Sequence, residues 1–304
     1  TLYFRADDGT NGTELWKSDG TEAGTVMVKN INTSGYSDPT DLTMLGNTLY
    51  FCANDGSNNW ELWKSDGTAA GTVMVKDINP TGSSFPEELT VVGSTIYFKA
   101  NDDTNGRELW KSDGTAAGTV MVKDVYPSGD SNPEDLTVVG STIYFRGTDG
   151  ANGRELWKSD GTAAGTVMVK DINTDGSYNG GESYPYALTQ HGNLIYFIAN
   201  TSANGYQMYF SDGTEAGTMR IPSPSGSDYG YVGCDCYENP VRSTAIGVFF
   251  TYSLIEVGNE LGFIADPLPE TNTNGNALTV ALLVLSGALA AGAVIARRKE
   301  RRAN

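Results

Sequence analysis

Cysteine, histidine and basic residues are scarce in this 304-residue chain, and each scarcity removes a class of function. Three cysteines, Cys52, Cys234 and Cys236, are too few for a scaffold held by disulfides. Cys234 and Cys236 stand two apart in an irregular stretch, from which either is a candidate to bridge elsewhere, Cys52 included, in an oxidising compartment. One histidine, His191, leaves zinc without a ligand set. It also leaves nucleophilic hydrolysis with a single base, in Gln190-His191-Gly192, where sister segments read Val-Gly or Leu-Gly and a turn is expected. A sialidase-like site needs converging arginines. Before the C-terminal tail there are only Arg5, Arg107, Arg146, Arg154, Arg220 and Arg242, mostly at repeat-equivalent places. The many acids lie in turns and single out no glycosidase pair. The expectation is a protein that is not an enzyme, with a carbohydrate-active enzyme as an alternative.

Lysine and arginine number 20 against 37 aspartates and glutamates, for a net charge of −17. Five of those bases fall in the tail after Ala296, beside Glu300, so the rest holds 15 bases against 36 acids, a balance of −21. That field repels nucleic acid and anionic lipid. Helical 3.6-residue periodicity is absent before residue 277.

What the chain does have is a repeat. Glu-Leu-Trp-Lys-Ser-Asp-Gly-Thr occurs unchanged at Glu14–Thr21, Glu61–Thr68, Glu108–Thr115 and Glu155–Thr162, with Trp16, Trp63, Trp110 and Trp157 each 47 residues apart. A fifth copy, Gln207–Thr214, places Tyr209 at the tryptophan position. A fixed period of this length marks a repeat architecture. Within a unit, four short segments rich in Val, Ile, Thr, Tyr, Phe and Trp are bounded by Gly, Asn and Asp, the pattern of strands joined by tight hairpins. In Thr95–Ala100, Ile96 and Phe98 share one face and Tyr97 and Lys99 the other. Gly93 and Asp113-Gly114 supply the positive φ that hairpin turns require.

Four antiparallel strands in 47 residues are the size of a propeller blade. The expected fold is all-β: a β-propeller of four-stranded blades, N-terminally truncated, plus one C-terminal transmembrane helix. An open stack of β-modules and a β-solenoid are the rivals. The blades are expected at 1–31 (lacking a first strand), 39–78, 86–125, 133–172 and 185–221, with a degenerate one at 240–266. Packed side by side, they would bury the four tryptophans and Tyr209 between them. The chain opens at Thr1, inside a repeat, and reads as a piece from which upstream blades are missing.

The Glu-Leu-Trp-x-x-Asp-Gly-Thr stretch, with the following Ala70-Gly71-Thr72 and Val75–Ile78, resembles the ELWxxDGT repeat family over about residues 1–221 and weakly over 240–266. The resemblance implies a propeller-like fold in large secreted or surface-attached proteins, and it brings no catalytic residues. Copy five departs from the pattern at Gln207, Met208, Tyr209 and Phe210. The Ser-Asp-Gly-Thr turn is also similar to the Asp-box hairpin of sialidase-like propellers, a structural turn.

Four candidate features follow. Asp7, Asp8 and Asn11, and likewise Asp102, Asp103 and Asn105, cluster oxygens as calcium would require, although Asp, Asn and Gly are also what a plain turn wants; no other cofactor is expected. Thr174–Tyr184 carries five residues more than the sister linkers and brings Tyr178, Tyr184 and Tyr186, while Pro222–Asn239 adds Tyr229, Tyr231 and Tyr237. Tyrosines in Gly/Ser-rich loops suit adaptable contact with a glycan or protein partner. Asn11, Asn32 and Asn200 begin glycosylation sequons.

The last feature is the tail. A polar stalk, 267–276, leads into Ala277–Ala296, 20 residues without charge or proline, about 30 Å as a helix. Arg297-Arg298-Lys299 follows, which puts a basic tail, 297–304, in the cytoplasm and the repeats outside, extracellular or lumenal. Leu268-Pro269-Glu270-Thr271-Asn272 is similar to a Leu-Pro-x-Thr-Gly sorting signal, with Asn272 in place of the glycine. The small residues at Ser286–Ala288 and Ala290–Gly292 would let the helix pack against another. The leading expectation is a single-pass, type I, membrane-anchored outer-surface propeller acting as an adhesion or interaction module. An accessory subunit of a membrane complex is the alternative.

Overall fold

The computed structural model describes residues 1–175, 179–221, 250–257, 260–267 and 283–285, with side chains described for 1–175 and 180–221. The described residues are all-β apart from a single 3-10 turn, Asn179–Gly181. A first compact unit carries five antiparallel sheets and a second carries one.

The first sheet has three strands: β1 (Leu2–Asp7), β2 (Thr13–Ser18) and β3 (Val26–Lys29). The next four sheets have four strands each, ordered as they follow in the chain. The second comprises β4 (Thr40–Leu45), β5 (Thr48–Asn54), β6 (Trp60–Ser65) and β7 (Val73–Lys76). The third comprises β8 (Glu87–Val92), β9 (Thr95–Asn101), β10 (Arg107–Ser112) and β11 (Val120–Lys123). The fourth comprises β12 (Glu134–Val139), β13 (Thr142–Thr148), β14 (Arg154–Ser159) and β15 (Val167–Lys170). The fifth comprises β16 (Tyr186–His191), β17 (Leu194–Thr201), β18 (Gly205–Ser211) and β19 (Met219–Arg220). In the second unit, β20 (Phe250–Val257), β21 (Glu260–Pro267) and β22 (Leu283–Leu285) form a three-stranded sheet.

Consecutive sheets of the first unit stack through one repeated seam. Leu62, Val75 and Ile78 of the second sheet pack on Ile96, Phe98, Ala100 and Trp110 of the third. Equivalent residues fill the other three seams, with Tyr209 replacing tryptophan in the last. Second strands such as β9 lie between two seams and are buried on both faces, which explains an apolar run where a half-exposed strand would alternate. Trp63, Trp110 and Trp157 are 5–6% exposed, whereas Trp16 and Leu2, on the side of the first sheet where the described residues form no seam, are more open; Leu2 is 66% exposed against 2% for Leu49.

Polar bonds fasten each seam in one direction. Lys64 Nζ donates to Gly114 O (2.8 Å) and Lys76 Nζ to Thr119 O (2.8 Å), both in the next sheet. The same pair recurs at the other seams. The Ser-Asp-Gly-Thr turn shapes the acceptor: Asp113 Oδ1 accepts from Thr115 N (2.8 Å) and Oγ1 (2.7 Å), and Thr115 Oγ1 accepts from Gly118 N (2.9 Å). Gly114 has φ +86, and a Cβ there would meet the Tyr50 hydroxyl at 2.1 Å.

The glutamate that opens the motif is fully buried in all four copies. Glu108 Oε2 accepts from Val125 N (3.1 Å) and Ser131 Oγ (2.6 Å), and Oε1 accepts from Ser131 N (3.0 Å). It therefore ties the third strand to the linker that leads into the next sheet. Burial raises the Glu61 carboxyl above its usual range, Glu108 to about 7 and Glu155 to about 8.

Of the stretch expected to be a transmembrane helix, only Leu283–Leu285 is described, and it pairs with β21 as a strand. Among the described residues, no helix is long and apolar enough to cross a membrane.

Candidate functional site

In near-identical copies, the positions that differ carry whatever distinguishes one unit from the next. Four such positions stand out: those after the second strand's Tyr-Phe, before the motif glutamate, and on either side of the linker proline. The fold brings all four together at one end of each seam, here called its mouth. The first mouth has Arg5, Thr13, Asp38 and Thr40, and the second Cys52, Trp60, Phe85 and Glu87. The third has Lys99, Arg107, Asn132 and Glu134, and the fourth Arg146, Arg154, Tyr184 and Tyr186.

Backbone bonds make this juxtaposition. Phe85 N donates to Trp60 O (3.2 Å), Asn132 N to Arg107 O (3.0 Å), Tyr184 N to Arg154 O (3.0 Å) and Asp38 N to Thr13 O (3.0 Å). Across the sheet, Glu87 pairs in register with Lys99 and Glu134 with Arg146. The pre-proline residues Asp38, Phe85, Asn132 and Tyr184 have φ of 44–52°, and Asp41, Glu88, Asp135 and Ala187 have φ of 54–62°. Such left-handed non-glycine residues each cost about 1–3 kcal/mol and persist only where the surroundings impose them. The second set coincides with a register shift in β4, β8, β12 and β16, which bends the first strand at each mouth.

The side chains form a different constellation at each mouth. At the first, Arg5 lies 3.9 Å from Asp38. At the second, Trp60 and Phe85 stack at 6.4 Å, and a cavity of about 420 Å³ opens beside Asp41, Cys52, Glu87 and Glu88. At the third, Lys99 bridges Glu87 (2.9 Å) and Glu134 (3.9 Å). At the fourth, Arg146 bonds Glu134 of its own sheet, donates to Pro185 O (3.1 Å) and lies over the Tyr184 ring (4.4 Å), which Arg154 also faces (5.4 Å). Tyr186 meets Tyr206 edge-on at 5.7 Å.

Charge follows these contacts. Burial works to raise the Glu134 carboxyl, but Arg146 and Lys99 outweigh it and hold it below the usual range. Asp41 is raised by burial and by Glu87, and Glu88 by burial and by Asp135. Burial pushes the Cys52 thiol up to about 12.

The tyrosines expected as exposed loop contacts fare differently. Tyr184 is half-buried beneath two guanidinium groups, and Tyr186 is paired with another ring, because Glu182–Tyr186 runs into the fourth mouth. Tyr178, Tyr229, Tyr231 and Tyr237 lie outside the residues whose side chains are described, as do Cys234, Cys236 and Leu268–Asn272. Cys52 is a buried free thiol, 3% exposed.

Among the candidate calcium ligands, the aspartates act as hydrogen-bond acceptors and the asparagines donate to them. Asp8 Oδ1 takes Thr10 N (2.9 Å) and Asn11 N (2.8 Å), Asp102 Oδ1 takes Thr104 N (3.0 Å) and Asn105 N (2.7 Å), and Asn11 and Asn105 donate back to those aspartates. Asp7 caps Gly9 N, and Asp103 accepts from Thr81. Among the described residues, no three acidic, cysteine or histidine side chains are grouped to hold a metal. Of the sequon asparagines, Asn11 is half-buried, while Asn32 and Asn200 are 7% and 4% exposed, which leaves no room for a glycan on the folded chain. His191 packs edge-on against Tyr196 at the tip of β16 and bonds no carboxylate among the described residues.

Sequence reasoning missed Cys52, Trp60, Phe85, Lys99 and Arg146 as a set. Column-by-column alignment of the five copies would have found them, since the fold brings together columns that the sequence keeps 25 or more residues apart.

No protein-family model and no curated protein matches the chain. Among solved structures it is similar to a putative TolB from Agrobacterium tumefaciens, with 12% identity and a TM-score of 0.38, over 72% of this chain and 76% of that one. It is also similar to the β-propeller domain of the Trilobed protease from Pyrococcus furiosus (8% identity, TM-score 0.42, 75% of this chain and 64% of that one). A third likeness, to puromycin hydrolase, has 13% identity and a TM-score of 0.40 over 75% of this chain, which spans 33% of that one. Likeness at this level assigns the chain neither a family nor an activity.

Proposed function

We propose that the five sheets are consecutive blades of a β-propeller and that the seam mouths together form the ligand face of a non-catalytic interaction module. In this reading the module is adhesive, taking a glycan or protein, and is displayed outside a membrane by the apolar segment Ala277–Ala296. Its propeller part is supported by the first strands, which lie against one another from sheet to sheet (β4 with β8, β8 with β12, β12 with β16), as inner strands around an axis do. The observation that carries the functional part is the division of labour in the repeat: the seams are nearly invariant, whereas the mouths, like the exposed turns, change from copy to copy and do so between cationic, aromatic and neutral side chains. Packing needs constancy; recognition needs difference. The anchoring part rests on the apolar run and the Arg297-Arg298-Lys299 flank alone.

The test is a glycan and matrix-protein array probed with the purified protein, its Tyr184→Ala variant and its exposed-site Arg107→Ala variant. Binding to a defined ligand class that either change abolishes, with the melting temperature kept, is the expected result. Undiminished binding by both variants, or turnover of an arrayed glycan, would overturn the reading.

A further inference from the structure

The repeat provides its own internal comparison. At three of the four mouths, the residue after the second strand's Tyr-Phe is a base that meets acids: Arg5 with Asp38, Lys99 with Glu87 and Glu134, Arg146 with Glu134 and Asp135. At the second mouth that residue is Cys52, a buried neutral thiol. The acids remain. Asp41, Glu87 and Glu88 line the 420 Å³ cavity together with Thr40, Cys52 and Pro86. Lys99 engages Glu87, and among the described residues neither Asp41 nor Glu88 forms an ion pair, although Glu88 accepts from Leu136 N (3.4 Å). Where the next mouths carry Arg107 and Arg154, this one carries Trp60, stacked on Phe85, so the cavity has an aromatic wall instead of a second positive charge.

We propose that the second mouth binds an organic cation, an ammonium or guanidinium on an aliphatic stem, in the place that Lys99 and Arg146 fill at the two mouths that follow. The head group sits between the carboxylates of Asp41 and Glu87, and the stem lies along Trp60 and Phe85. Aromatic faces attract cations and accept methylene stems, whereas a lone acidic surface would offer only the charge. The balance of −21 outside the tail draws cations toward the cavity from a distance. Anionic ligands are excluded by the same field. This inference rests on the reading of the mouths as a ligand face and names the ligand class of one of them.

The experiment titrates the full chain with three probes, following tryptophan fluorescence and heat: cadaverine, Nα-acetyl-lysine methylamide and the same compound acetylated at Nε. The two amines are expected to bind and the Nε-acetyl form to bind at least about tenfold more weakly, as loss of a charge-assisted bond dictates. Tighter binding of the capped lysine assigns the site to a side chain on a protein partner; tighter binding of cadaverine assigns it to free polyamines. Cys52→Lys supplies the missing cation from within and is expected to abolish binding with no loss of melting temperature, while Cys52→Ala retains it. If Cys52→Lys fails to fold, Asp41→Asn carries the test, with an expected weakening of about tenfold. Absence of binding by both amines at millimolar concentration, or binding that persists in Cys52→Lys, overturns the proposal. Array binding that is lost on Tyr184→Ala would in that case leave the wider reading of the mouths standing.

Discussion

Replacing Glu108 by glutamine tests how the buried acids shape stability. The carboxylate is 0% exposed and accepts three hydrogen bonds, from Val125 N, Ser131 N and Ser131 Oγ. Burial nevertheless raises its pKa from 4.5 to about 7. A raised acid holds its proton longer when folded than when unfolded, so its contribution to stability is complete below pH 4.5 and is lost as pH climbs through 7. Each tenfold change in proton affinity is worth about 1.4 kcal/mol, so the whole displacement is on the order of 3 kcal/mol. Glu108→Gln keeps the shape but cannot ionise. Its amide nitrogen faces a donor, which costs about 1–3 kcal/mol at every pH. The variant is therefore expected to melt well below the parent at pH 4.5 and to close the gap, or reverse it, by pH 8. The assay is urea unfolding and thermal melting of both proteins in half-unit steps of pH. A difference that stays constant across that range would refute the reasoning, because it would mean that the folded carboxyl titrates like a free one.

Three further outcomes follow from the seams. Lys64→Met should destabilise by about 1–2 kcal/mol through loss of the bond to Gly114 O, and Lys64→Met with Lys76→Met by about twice that, seen as a lower denaturation midpoint. Gly114→Ala should cost more than Gly93→Ala, because both have positive φ (+86 and +61) but only at Gly114 would the new methyl group strike a tyrosine hydroxyl; equal melting temperatures would discount that contact. Trp110→Ala should cost about 3–5 kcal/mol and Trp16→Ala clearly less, since only Trp110 is enclosed between two sheets.

The strands could be read from sequence because their cues are local. Gly93 marks a turn, and the β-branched and aromatic run that opens Thr95–Ala100 marks the strand that follows. The long-range bonds carry no such cue. That Lys64 reaches a carbonyl 50 residues away, or that Glu108 collects amides 17 and 23 residues on, is visible as repetition without a reason. Nothing local in Pro86-Glu87-Glu88-Leu89 announces a left-handed Glu88; the bend is imposed by the neighbouring sheets. Two of the sequons show the converse. Asn32 and Asn200 match a local pattern, and tertiary burial overrules it. At the site, the long linker drew notice to Tyr184 and Tyr186, but the partners that give Tyr184 its setting, Arg146 and Arg154, come from the sheet before.

Each mouth draws half of its side chains from either flanking sheet, while the lysine straps that fasten a seam are the same everywhere. The second, third and fourth sheets are thus interchangeable cassettes. Reordering them would leave every joint intact and still create pairings that no present cassette contains, such as Cys52 and Trp60 opposite Asn132 and Glu134. Recombination among near-identical repeats would then diversify the mouths without wagering the scaffold.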